Sequence, residues 1–170
     1  AVFKISNDIS SILDLDELIN KVMDSIISVI GAERGFLMLY EKKSEMKETD
    51  IIISDVPNPS FSIGNQLVLK VNRSIEKSAQ NISNEARLPN KPTISKHIIE
   101  EVASNGIGKV ITNAQKDPEI STFESVVEYD LRSILCAPLK IKGRVIGVVY
   151  IDNRLVSNLF KQRDLELLEA

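Results

Sequence analysis

Leu131-Arg132-Ser133-Ile134-Leu135-Cys136-Ala137-Pro138-Leu139-Lys140-Ile141-Lys142-Gly143-Arg144-Val145-Ile146-Gly147-Val148-Val149-Tyr150-Ile151-Asp152-Asn153 is two apolar runs joined by a single Lys-Gly step. Both runs are rich in β-branched residues, and both are apolar at odd and even positions, which is the pattern of strands covered on two sides. The spacing predicts strands over 133–141 and 144–152 closed by a tight turn at Lys142-Gly143. Working outward, a helix starting at Lys161 carries Leu165, Leu167 and Leu168 and is still running when the sequence stops, as if the chain continued. Upstream, a short helix is expected over 121–129, a break at Asp117-Pro118 and a short strand over 108–112. Thr93 or Ser95 opens a helix through Ile98, Ile99 and Val102 that stops at Asn105-Gly106.

Further upstream, 66–72 and 34–40 read as strands; the second is apolar on both faces and so central. Between them lies a polar excursion, 41–65, containing Pro57, Pro59 and an isolated Ile51-Ile52-Ile53; a second polar run, 74–92, reads as another loop. Leu15, Leu18, Ile19, Val22, Met23, Ile26, Ile27 and Ile30 trace one helical face that Gly31 ends. Asp14 with Glu17 forms a capping box, with Leu13 placed to staple against Leu18, so a helix is expected to restart there. Before it, Val2, Ile5, Ile9 and Ile12 repeat at coiled-coil spacing. The expected organisation is an N-terminal dimerisation and signalling helix over 1–13, followed by one domain over 14–170. The element order (helix, strand, strand, helix, strand, helix, strand, strand, helix) implies an α+β sandwich with a largely antiparallel sheet.

Composition bounds the function. The 170 residues suit one domain, and 43% hydrophobic with 26% charged residues, at a mean hydropathy of -0.02, fits a folded chain outside the membrane. Net charge is -3 with basic residues scattered, so no nucleic acid is expected as partner. One cysteine excludes an intrachain disulfide and fits a cytoplasmic location. The sequons at Asn72 and Asn81 follow no secretory signal and read as chance.

The 131–153 stretch resembles the terminal hairpin of GAF domains, the small-ligand domains of cyclic-nucleotide phosphodiesterases, adenylyl cyclases, sensor kinases and bacterial transcription activators. Gly31-Ala32-Glu33-Arg34-Gly35 is similar to that family's entry to its first strand. Thr112-Asn113-Ala114-Gln115-Lys116-Asp117-Pro118 is similar to the segment after its third strand, with Asn113 where Asp is usual. Asn153-Arg154, then Phe160, then Asp164-Leu165 resembles in part the Asn-Lys, Phe, Asp-Glu signature of the cyclic-nucleotide branch. In this clasp Arg154 is expected to fork onto Asp164 while Phe160 plugs the gap, a structural role rather than ligand recognition.

The resemblance implies helices on one sheet face and a ligand pocket under helices and loops on the other, walled by Ile94, Ser95, Asn113, Gln115, Phe123, Arg132 and Ser133. Ser95 and Asn113 would offer hydrogen bonds, Phe123 a stacking surface and Arg132 an anion contact; each also has a plain structural role open to it. The implied function is a regulatory, non-catalytic domain binding a small molecule, with a cyclic nucleotide as one option. Its occupancy would pass through the terminal helices of a homodimer to an effector domain in the same full-length chain. The alternative is a ligand-free dimerisation or spacer module. No catalytic residue, resident cofactor or metal is expected. His97 is the single histidine and reads as a helix-face residue, and Cys136 reads as a core thiol, too few to run bilin attachment or sulfoxide reduction. Asn105-Gly106-Ile107-Gly108-Lys109 lacks the spacing of a phosphate loop.

Overall fold

A computed structural model describes residues 2–55, 65–75, 82–84, 94–128 and 131–169; the side chains of 2–15, 75, 82–84, 125 and 128 lie outside the description. The elements are α1 (Val2–Ile30), β1 (Arg34–Lys42), β2 (Ile52–Ser54), β3 (Asn65–Ile75), β4 (Ile82–Asn84), α2 (Lys96–Asn105), β5 (Lys109–Ile111), α3 (Glu124–Glu128), β6 (Ser133–Ile141), β7 (Arg144–Asn153) and α4 (Gln162–Glu169). The strands form one sheet in the order β2-β3-β1-β7-β6-β5, with β4 also pairing β3. Every pairing among them is antiparallel. This is the α+β sandwich that the sequence predicts.

The β6–β7 hairpin turns at Lys142 and Gly143, with φ of 52° and 76°, so both central residues are left-handed, as a type I′ turn requires. Strands β1, β6 and β7 sit mid-sheet and are apolar on both faces, which divides the core in two. On one face Phe36, Met38, Ile134, Cys136, Val148 and Tyr150 pack against Ile98, Ile99 and Val102 of α2 and Val126 of α3. On the other, Leu37, Leu135, Ala137, Val149 and Ile151 pack against Met23 and Ile27 of α1 and Leu165 of α4. Gly35 lets α1 lie close to the sheet, since a Cβ there would stand 2.5 Å from Met23 Sδ and 3.0 Å from Ile27 Cδ1.

Two local expectations change. α1 runs unbroken over Val2–Ile30, so Asp14 lies inside a helix and starts none. The interval 14–30 alone carries enough periodic apolar positions to anchor a helix, and nothing at Leu13-Asp14 breaks the backbone, so helix propagates through a capping sequence. Within the 41–65 excursion, Ile52–Ser54 is a strand rather than loop: Ile53 is buried, and the strand pairs with β3 at the sheet edge. Pro57 and Pro59, and most of 74–92, lie outside the described residues.

Candidate functional site

The face beneath α2 has a polar floor at the point where β1 begins and β7 ends. Arg34, Phe36 and Met38 alternate onto this face, as do Tyr150 and Asp152. Arg34 and Asp152 are fully buried and form a two-pronged fork, Nε donating to Oδ1 at 2.8 Å and Nη2 to Oδ2 at 2.5 Å. The guanidinium also lies over the Phe36 ring, 5.3 Å from its centroid. Burial pushes the Asp152 carboxyl above its ordinary value, and the charge and hydrogen bonds of Arg34 pull it only part of the way back. Tyr150, also fully buried, meets Phe36 edge to face at 5.9 Å, and its hydroxyl accepts the backbone N–H of Ser95 at 3.5 Å. Burial, followed by the Asp152 charge, pushes its hydroxyl well up. On β3, Asn72 stands opposite Phe36 and Ser74 opposite Arg34. Asn72 Oδ1 is buried without a hydrogen-bond partner among the described residues.

The residues expected to wall a pocket divide. Ile94 is buried in the core of this face, and Ser95 precedes α2 without a side-chain capping bond. Phe123 packs its inner side on the same core and its outer side on His97, with ring centroids 4.9 Å apart. Asn113 is half-buried, its carbonyl accepting the N–H of Lys116; Gln115 is exposed; and Ala114 between them is fully buried. Arg132 is half-buried at the entry to β6, its backbone N–H bonded to the Asn153 carbonyl. Ser133 does not join them. The alternation that sends Ile134 and Cys136 toward α2 sends Ser133 to the α1–α4 side. There Ser133 Oγ donates toward the carbonyls of Val156 (2.7 Å) and Thr112 (3.2 Å) and accepts from the Leu159 N–H at 3.3 Å.

The expected clasp is rewired. Arg154 bonds Glu33, not Asp164: Nη2 and Nε reach Oε1 at 2.6 and 3.1 Å, and the Arg154 backbone N–H reaches Oε2 at 2.9 Å. The Glu33 N–H in turn donates to the Asp152 carbonyl at 3.1 Å. Asp164 instead accepts the Lys161 N–H at 2.8 Å, capping the first turn of α4, because three residues is the reach of a capping-box acid. Asn153 Oδ1 accepts the N–H groups of Leu155 and Val156, each at 2.8 Å, shaping the turn out of β7. Phe160 is fully buried in the core cluster that holds Met23, Ile27 and Leu165. Consecutive residues Glu33 and Arg34 thus pair with Arg154 and Asp152, and the second pair lies on the site floor.

Glu33 gives a pH test. Burial, the largest single influence, pushes its carboxyl up, but the hydrogen bonds and charge of Arg154 outweigh it and hold Glu33 below its ordinary value of 4.5. An acid lowered on folding contributes stability that is complete above 4.5 and drains away as pH falls through the folded value. Glu33→Gln is expected to cost about 1–2 kcal/mol at pH 7. In urea titrations run from pH 7 to 3, the gap between the two proteins should shrink; a gap independent of pH would show the carboxylate charge to be irrelevant.

Cys136 is fully buried on this face, and burial pushes its thiol up, away from nucleophilic thiolate. Among the described residues no cluster of three or more His, Cys, Asp or Glu could hold a metal, and no helix is long and apolar enough to cross a membrane.

The GAF domain profile matches residues 14–170, and the chain belongs to the GAF domain family. Among curated proteins it is similar to the probable 3',5'-cyclic phosphodiesterase pde-5 of Caenorhabditis elegans, with 30% identity over 159 residues, 93% of this chain and 19% of that protein. It is also similar to the dual 3',5'-cyclic-AMP and -GMP phosphodiesterase 11A of Takifugu rubripes, with 26% identity over 183 residues, 100% of this chain and 18% of that protein. The chain therefore spans about a fifth of the length of these relatives. Its fold resembles the GAF domain region of a Geobacter sulfurreducens membrane protein, with a TM-score of 0.61, 14% identity and coverage of 96% and 91% of the two chains. It also resembles a nitrate-site mutant of NreA from Staphylococcus aureus, with a TM-score of 0.52, 17% identity and coverage of 89% and 94%.

Proposed function

We propose that this chain is a non-catalytic regulatory domain, working in the cytoplasm, that binds a small molecule between α2 and the sheet. A cyclic nucleotide is the first ligand to test. The observation that carries the reading is the arrangement of Glu33-Arg34 against Asp152 and Arg154. It joins a buried polar floor to the end of α1 and to the segment leading into α4. A ligand that shifts Tyr150, Asp152 or Arg34 then acts on both terminal helices, which is the differential contact that transmission requires. Ile94, Ser95, Asn113, Gln115, Phe123 and Arg132 remain the proposed wall, with Asn72 Oδ1 an added acceptor on the floor. The named relatives are phosphodiesterases, which supports cyclic nucleotides as probes and an effector domain elsewhere in the full-length chain.

The homodimer is proposed on the outer face of α1. Leu18, Val22 and Val29 are exposed there, at spacings of four and seven, and a shallow groove of about 370 Å³ runs between Val22, Ile26, Val29 and Leu167 of α4. The alternative, a ligand-free dimerisation or spacer module, draws on a different observation. Phe36, Ile98, Ile99, Val102, Ile120 and Leu131 already fill the α2 face with fully buried side chains.

The deciding experiment is a thermal-shift titration with cyclic GMP, cyclic AMP and a small metabolite panel. A ligand at 100 times its Kd should add about 2.7 kcal/mol. A shift abolished by Asn72→Leu supports the sensor; a dimer stable across the whole panel, with no shift, supports the spacer.

A further inference from the structure

The floor of the α2-face site is held by a buried ion pair and a buried tyrosine, whereas its two walls meet through a pair of rings at the surface. One wall is α2. The other is the 112–128 segment, where the Phe123 carbonyl accepts the N–H groups of Val126 and Val127 and so begins α3. His97 is exposed on α2 and Phe123 is half-buried on the facing segment; their planes are tilted by 31° at a centroid separation of 4.9 Å. The inner side of Phe123 rests on the core cluster that includes Ile94, Ile98, Ile120 and Val126. Moving its ring outward therefore uncovers that cluster at the junction of the two walls.

We propose that the His97–Phe123 stack is a latch across this site, closed in the structure and opened to admit the ligand. The inference rests on reading the α2 face as the ligand site. The contrast in bonding supports it. Neither wall is joined to the sheet by a strand ladder. The second wall is tied at its two ends, where the Ala114 N–H bonds the Arg132 carbonyl at 2.6 Å and the Leu131 N–H bonds the Val126 carbonyl at 3.2 Å, and α2 is tied by the Ser95 N–H to the Tyr150 hydroxyl and by Ser54 Oγ to Glu100. Between those ties the two walls meet by side-chain packing, so the His97–Phe123 contact can part without breaking β6–β7 or β1–β7 pairing. An aromatic pair at the surface shifts an equilibrium by roughly 2- to 10-fold, enough to keep a site shut and too little to lock it. A ligand with a planar ring can replace one partner of the stack, which restores the ring-on-ring packing that opening breaks.

The single histidine makes the test direct, because its ring resonances in NMR are unambiguous. Without ligand, Phe123→Leu and His97→Ala are each expected to speed amide hydrogen exchange across 96–105 and 120–128 by about 2- to 10-fold. Amides of β6 and β7 should keep their rates. No acceleration, or equal acceleration through the β6–β7 hairpin, overturns the latch and leaves an ordinary core contact. Because His97 is exposed, its variant is informative even if Phe123→Leu folds poorly. Cyclic GMP and cyclic AMP are then titrated into the unmutated protein. Movement of the His97 resonances toward their positions in Phe123→Leu supports opening on binding. Binding that perturbs other resonances and leaves His97 still overturns it. Failure of both nucleotides to perturb any resonance counts against the cyclic-nucleotide reading alone, and the exchange rates decide the latch.

Discussion

Asp152→Ala is expected to destabilise the domain by about 3–5 kcal/mol, because it removes the buried carboxylate that forks onto the fully buried Arg34 guanidinium and so breaks a buried ion pair from one side. The loss would be a large share of the roughly 5–15 kcal/mol that holds a typical domain folded. Urea denaturation at pH 7 measures it. The double replacement Arg34→Met with Asp152→Leu should recover most of the loss, since it removes both buried charges and leaves apolar volume next to Phe36 and Tyr150. If the single variant costs under about 1 kcal/mol, the Asp152 carboxylate is not what balances the Arg34 charge. If the double variant stays as unstable as the single, the pair supplies something beyond charge compensation.

Phe160→Ala is the second large effect, at about 3–5 kcal/mol. The ring is fully buried and joins α1, through Met23 and Ile27, to α4, through Leu165, over a sheet face built from Leu135, Ala137 and Ile151. Truncation opens a cavity at the junction of three elements, where the walls are helices already fixed by the sheet and cannot collapse inward. Phe160→Leu should recover roughly half of the loss. The same urea titrations distinguish this role from a surface one: a Phe160→Ala cost below about 1 kcal/mol would place the ring outside the core.

Much of the fold is written locally. The Lys142-Gly143 turn, the doubly apolar strands around it and the Gly106 stop of α2 each depend on a few adjacent residues, so periodicity and turn chemistry identify them. Ile52–Ser54 is hidden from such reading because a three-residue edge strand has no period and forms only where β3 offers unpaired backbone. The unbroken α1 is hidden because a capping sequence is a preference that tertiary contacts override.

The site is less legible, for a related reason. Arg34 and Asp152 each stand at the edge of a run apolar on both faces, but nothing in the spacing says that they meet. Proximity in sequence pairs Arg154 with Asp164, whereas the sheet brings Glu33 to it across 121 positions. The family resemblance puts Ser133 among ligand contacts, but strand alternation, itself readable in the sequence, sends it to the opposite face. His97 as the partner of Phe123 carries no sequence signal.

The register of β1 against β7 sets the order in which the parts can come together during synthesis. β1 can find β3 as soon as residue 75 has emerged, but its other neighbour is not made until 144–153 follow, and Arg34 waits 118 residues for Asp152. The inner face of α1, made before any of the strands, waits longer still, since Phe160 and Leu165 complete its cover. A nascent chain arrested before residue 153 would carry Met23 and Ile27 on a helix only part of whose cover yet exists. The element that precedes the sheet is among the last to be secured.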